Sequence, residues 1–176
     1  ISNGLSTTDL EGMLDLVAVS IAADIVPMVG ENRVLTHFGL KRINSNPNMG
    51  LRAIIRTCGL SGKEITISDV IFKIGPRINA SGRMQAVDLL VSRDMSDALE
   101  RAIEIDRHNQ ERKELDKQIT EEATALLDAR ADDLASRKSI VIYNKDWHKG
   151  IIGIVASRIT ELHYKPTVVL TFANGV

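Results

Sequence analysis

Apolar positions crowd the early part of the chain almost without a break. From Leu14 to Pro27 the sequence reads L-D-L-V-A-V-S-I-A-A-D-I-V-P, a segment apolar on most sides and therefore suited to a central helix rather than a surface one. Thr7-Thr8-Asp9 ahead of Leu10-Glu11 supplies a cap, with Thr8 or Asp9 in the capping position, so one helix is predicted to run to about Ala23. Glu31 to Asn44 predicts a second helix, with Val34, Leu35, Phe38 and Ile43 as its apolar positions. A turn cluster, N-S-N-P-N at 44–48, separates it from a third helix over Met49 to Cys58, which Gly59 ends. Ser68 to Ile74 predicts a short fourth helix, and Ala86 to Val91 another. Between these two lies I-G-P-R-I-N-A-S-G-R-M, Ile74 to Met84, with little apolar mass and several backbone breakers. It predicts a loop.

The pattern then changes scale. Ser96-Asp97 caps a helical run predicted to continue to about Leu134. Its start is apolar through Ala98, Leu99, Ala102, Ile103 and Ile105, and its end through Leu115, Ile119, Ala123, Leu126 and Leu127. Asp106 to Glu114, D-R-H-N-Q-E-R-K-E, contains no apolar residue, and a helix polar all round usually bridges two bodies. No Gly or Pro marks a break there, which favours one connecting helix over two. After it the period shifts again. The β-branched run at 139–143 predicts a strand, Gly150 to Leu162 a helix, and Thr167 to Phe172 a second strand, together a parallel βαβ unit. Two strands alone make no stable sheet, so the unit is expected to be truncated.

Composition narrows the class. The chain has 176 residues, 44% hydrophobic and 26% charged, with a net charge of −1, which fits a folded domain and excludes a disordered tail. Such a small net charge means that any polyanion contact must be local. Aromatics are only 3%, which leaves little for stacking bases. Cys58 is the single cysteine, excluding an internal disulfide and a cysteine-based zinc site. Its apolar neighbours predict a buried thiol in a reducing compartment. No signal-peptide pattern opens the chain, and no apolar run approaches the ~20 residues a membrane span needs, so a cytoplasmic location is expected. A first residue other than methionine suits a piece of a longer protein.

Three places carry candidate chemistry. Asp24 is a carboxylate near the end of an apolar run, where burial is costly unless the group is paired or bound to a metal. It reads either as a metal ligand projecting from a core element or as the residue that caps the turn before Pro27. In the 74–84 segment, Arg77 and Arg83 bring forked guanidiniums suited to phosphate or carboxylate. Asn79 and Ser81 can bond an oxyanion or their own backbone. The plainer alternative is a solvated loop with two surface arginines. Trp147-His148-Lys149-Gly150 falls at a strand-to-helix turn, where open α/β sheets face ligands and a helix N-terminus favours anions. His148 and Lys149 are candidates for phosphate; the alternative is that Trp147 packs on the connecting helix and His148 caps its neighbour.

Taken in order, A-A-D-I-V-P-M with G-E-N-R-V-L, then I-G-P-R-I-N-A-S-G-R-M, then W-H-K-G-I-I-G-I-V-A-S-R-I, the chain resembles the DHH phosphoesterases, and among them the exonucleases specific for single-stranded DNA. The resemblance covers essentially the whole chain; each motif alone is a weak signal, and three in order are a strong one. It implies an α/β protein: residues 1–94 the mainly helical C-terminal part of a DHH domain, 95–135 a linker helix, and 136–176 the start of a DHH-associated domain with its truncated βαβ unit.

It further implies two-metal phosphodiester hydrolysis with Mn²⁺ or Mg²⁺ and degradation of single-stranded DNA from the 5′ end, in DNA repair and recombination, with replication or repair proteins as further partners. Asp24 matches the last catalytic metal-ligating aspartate, and Arg77, Asn79, Ser81 and Arg83, with His148 and Lys149, would hold the DNA. The family's Asp-x-Asp and Asp-His-His motifs are absent, and His37, His108, His148 and His163 are scattered. One carboxylate cannot hold two metals, so the chain by itself is expected to be inactive. One departure lies at Gln85, which joins Met84 directly to Ala86 where the family carries a few more residues, through either a deletion or a stretch missing from the sequence. Two other functions are kept open: a phosphoesterase of short oligonucleotides or cyclic dinucleotides, and a non-catalytic scaffold that binds DNA or a replication partner. The aspartate motifs upstream would separate enzyme from scaffold.

Overall fold

A computed structural model describes residues 7–24, 26–80, 83–130 and 136–172. The chain divides into two compact units, residues 1–109 and 110–176. Among the described residues, no helix is long and apolar enough to cross a membrane.

In the first unit the expected opening helix is two: α1, Thr7–Glu11, and α2, Leu14–Ala23, separated at Gly12 and Met13. Glycine is a poor helix residue, and the break falls there. α2 buries one stripe, Asp15, Ala18, Val19 and Ala22, while Leu16 and Val17 are only half-buried; among the described residues it is less enclosed than its composition suggested. It packs against α3, Gly30–Ser45. The approach depends on Gly39, where a Cβ would collide with the Leu14 carbonyl oxygen and the Ala18 side chain.

α4, Met49–Thr57, is the most clearly amphipathic element. Its N-cap is Asn48, whose side chain accepts from the Gly50 N–H at 2.9 Å, the usual way to satisfy an orphan helix donor. Leu51, Ala53 and Ile54 are fully buried, whereas Arg52 and Arg56 are exposed. Cys58, just past the helix end, is half-buried rather than enclosed. Asn44 then ties the following turn to α3: its side chain accepts from the Ile65 N–H at 2.7 Å and donates to the Ile65 carbonyl at 2.9 Å.

The expected loop at Ile74 is instead helical. After the short α5, Ile67–Asp69, capped by Thr66, comes a π-helical turn, Val70–Ile74. It leads directly into α6, Gly75–Ala80. Pro76 explains the wide turn: it has no N–H, and in an α-helix its ring would press on the carbonyl four residues back. Widening the turn removes that clash, and the Gly75 N–H bonds Val70 O instead. Such single π turns occur often at functional sites. α7, Arg83–Leu90, and α8, Met95–Asp128, follow. The core of this unit gathers Val19, Ile43, Leu51, Ile54, Val70 and Ile74 with Leu89, Ala98 and Ile105.

The boundary between the units falls within α8. Its polar middle contributes more than its composition suggests: Asn109 is buried, and Asp106 is half-buried and paired. The expected end of this helix near Leu134 lies outside the described residues. The second unit is the expected parallel βαβ: β1, Ile140–Tyr143, pairs in parallel with β2, Thr167–Leu170, in the register Ile140 with Thr167. Between them runs α9, Ile152–His163, which buries Val155 and Ile159. Trp147 is buried in one cluster with Ile119, Ala123 and Leu127 of α8.

A polar bond fastens the same contact. The Trp147 Nε1–H donates to Glu122 at 2.8 Å, and Gln118 donates to the other carboxylate oxygen at 2.9 Å. These donors, Gln118 first, hold the Glu122 pKa below the ordinary glutamate value. A carboxylate whose folded pKa is lowered stabilises above its unfolded pKa, and that stability is lost as pH falls through the folded value. The resistance of the second unit to urea is thus expected to fall on acidification below the usual glutamate range. Glu122→Gln should flatten that dependence, and an unchanged pH profile in the variant would contradict the assignment.

Candidate metal and nucleic-acid site

At the end of α2 the chain leaves the helix at Asp24, whose backbone is extended at φ −106° and ψ 157°. Its carbonyl accepts from the Val26 N–H at 3.0 Å, and its side chain is exposed. The costly burial that draws attention to Asp24 in the sequence is therefore not its situation. It stands just past the helix end, at the mouth of a cavity of about 360 Å³.

Three helices build that cavity. α2 contributes Leu16, Val19, Ser20 and Ala23, with Asp24 at its C-cap, α6 contributes Ile78 and Asn79, and α7 contributes Leu90. The close approach of α6 to α2 rests on Gly75, where a Cβ would lie 3.1 Å from the Ala23 Cβ. The structure thus brings Asp24 and Asn79, 55 residues apart in sequence, to one cleft. Sequence reasoning misses Ser20. Its signal is available, since Ser20 and Asp24 are four apart and share a helix face.

Arg77 lies on the same short helix as Asn79 but is held inward. Its Nε donates to Asp106 at 2.7 Å and its Nη1 to the Lys73 carbonyl at 2.8 Å, with the side chain only 11% exposed. The guanidinium therefore docks α6 on α8. Ser81 lies outside the described residues, as does the side chain of Arg83, which opens α7. His148 and Lys149 belong to the second unit, exposed in the turn between β1 and α9. The Gly150 N–H donates to His148 Nδ1 at 3.1 Å, so His148 does cap its neighbour, and Trp147 does pack on α8.

Asp24, Asn79 and Ser20 offer a carboxylate, an amide oxygen and a hydroxyl, the oxygen donors that hard divalent cations accept. Among the described residues, however, no group of three or more His, Cys, Asp or Glu side chains is placed to hold a metal ion. The donor chemistry suits Mg²⁺ or Mn²⁺, but the chain supplies only part of a site, and no catalytic step is derived through it.

A mainly helical unit, then a long helix, then a parallel βαβ is the succession that the resemblance to the DHH phosphoesterases implies. No protein-family model matches the chain. It is 36% identical over 162 residues to the single-stranded-DNA-specific exonuclease RecJ of Bacillus subtilis, an alignment covering 90% of this chain and 20% of that protein. The crystal structure of an exonuclease RecJ bound to manganese superposes with a TM-score of 0.80 and 34% identity, over 96% of this chain and 42% of that one. RecJ of Thermus thermophilus in complex with Mg²⁺ gives a TM-score of 0.76 and 32% identity, over 92% of this chain and 25% of that one. The chain is thus similar along nearly its whole length to a segment of the RecJ exonucleases, and it spans only about a fifth of the length of the Bacillus relative.

Proposed function

We propose that this chain is part of a Mn²⁺- or Mg²⁺-dependent exonuclease that degrades single-stranded DNA from the 5′ end, acting in the cytoplasm in DNA repair and recombination. The observation that carries the reading is the shared cleft of Asp24 and Asn79. In this reading Asp24 is one metal ligand, and the remaining carboxylates come from parts of the protein outside residues 1–176. The chain alone is inactive. Residues 1–94 close the metal-bearing domain, 95–135 link it onward, and 136–176 begin the DHH-associated domain.

Asn79 faces the strand near Asp24, and Ser81 and Arg83, later in the same motif, hold phosphates. Arg77 has five N–H donors; Asp106 and the Lys73 carbonyl engage two of its nitrogens, so it orients the motif and has only its remaining N–H donors to offer a phosphate. His148 and Lys149 contact the DNA backbone from the second unit.

The test is degradation of single strands labelled at either end by the full-length protein with Mn²⁺. Early release of the 5′ label supports the reading. Cleavage restricted to dinucleotides, or none at all, overturns it. In the same protein, Arg83→Gln should weaken binding equally for all sequences and lower the log–log salt slope by about 0.7, one phosphate contact on a single strand. An unchanged slope would remove Arg83 from the DNA path.

A further inference from the structure

A larger cavity lies on another face of the first unit. It measures about 870 Å³ and shares no lining residue with the Asp24 cleft. Its floor is aliphatic, formed by Ile55, Leu60, Ile65 and Met95. Its rim carries Arg52, Arg56 and Lys63 against one carboxylate, Glu64. In a chain of net charge −1, this is a local excess of positive charge.

The three cations are available. Arg52 donates only to neutral acceptors, Asn46 Oδ1 at 3.0 Å and the Pro47 carbonyl at 3.5 Å, which leave its charge uncompensated. Neither Arg56 nor Lys63 forms an ion pair with a described residue. They are also carried on fixed supports. The buried face of α4 sets Arg52 and Arg56 on its solvent side. Lys63 rides on the turn that Asn44 anchors through Ile65, with Gly59 and Gly62 at positive φ of 68° and 73° shaping it.

We propose that this cleft is a second polyanion-binding face, which takes the sugar–phosphate backbone of single-stranded DNA away from the Asp24 site. The inference rests on the nuclease reading above. Arginines four apart on a helix have Cβ atoms about 5–6 Å apart, a spacing that lets two guanidiniums reach neighbouring phosphates on one strand. Guanidiniums suit phosphate because their forked donors match its oxygens. The aliphatic floor accepts sugar faces. Without an aromatic ring in the lining, bases are not stacked, so binding here is indifferent to sequence.

The test uses the full-length protein and fluorescence anisotropy of oligothymidylate and oligodeoxyadenylate across a salt series. The pair Arg56→Gln with Lys63→Gln removes no side-chain hydrogen bond seen among the described residues. It should weaken both ligands alike and lower the log–log salt slope by about 1.4, or ~0.7 per contact. The charge-keeping pair Arg56→Lys with Lys63→Arg should restore the slope. A slope unchanged in the neutral pair overturns the proposal, as does a slope equally reduced in the charge-keeping pair, which would mark a structural defect. If polyglutamate binding is lost in the neutral pair while the DNA slope is kept, the cleft takes an acidic protein and the proposal fails. Hydrolysis of single strands by the wild-type protein reports separately on the nuclease reading, so either idea can fail without the other.

Discussion

Asp24→Asn in the full-length protein should lower Mn²⁺-dependent hydrolysis of single-stranded DNA by about a thousandfold while leaving the fold intact. The two halves of this expectation have different origins. Asparagine keeps the size and one oxygen of the side chain but removes the charge. A metal ion contributes several kcal/mol of charge stabilisation in phosphoryl chemistry, and roughly 4 kcal/mol corresponds to three decades of rate. The fold should tolerate the change because Asp24 is exposed and already past the end of α2, and surface substitutions usually lie within about 0.5 kcal/mol. Single-turnover hydrolysis and thermal melting of the same variant check both halves. Near-wild-type turnover would show that Asp24 holds no metal; a collapsed melting temperature would show instead that it supports the helix end. For residues 1–176 alone, calorimetric titration with Mn²⁺ should reveal no tight site, since the described donors do not complete one.

The largest stability effect is expected nine residues earlier. Asp15 is fully buried. Its carboxylate accepts the Asn48 N–H at 2.5 Å and the Leu16 N–H at 2.9 Å, and lies 3.8 Å from Arg42 Nε. One side chain on α2 thus joins α3 to the N-terminus of α4. Asp15→Ala leaves a cavity, strands the Asn48 N–H, and deprives Arg42, whose Nε is buried without a hydrogen bond, of its nearest anion. Hydrogen bonds to charged groups contribute about 1.5–3 kcal/mol, and breaking a buried pair costs about 3–5. Arg42 keeps partial access to water, so a loss of about 3 kcal/mol is expected. Urea unfolding should show a lower midpoint with an unchanged slope. A loss below about 1 kcal/mol would mean that the carboxylate contributes little. Asp15→Asn, which retains an acceptor for Asn48, should fall between.

Much of this is legible in the residues, and the failures share one cause. The turn at 44–48, the helix that follows it and the parallel βαβ are written in patterns a few residues long, because turns, helix ends and β-branched runs depend on near neighbours. The three motifs in order point to the family for a similar reason. The arginine segment misleads because its breakers are turn formers by propensity, yet Pro76 follows a π turn and packing holds the helix through Arg77 and Asp106, 29 residues apart.

Burial is the other failure. Asp24 looks costly in its apolar run and is exposed, whereas Asp15, earlier in the same run, is the carboxylate enclosed. The order of residues was enough for most of the elements, their succession and the likeness to the exonucleases. Folding in three dimensions settled which carboxylate is buried, that Ser20, Asp24 and Asn79 share a cleft, and that Trp147 is bonded to Glu122. Those outcomes depend on groups brought together from distant parts of the chain, and no local period encodes which donor will meet which acceptor.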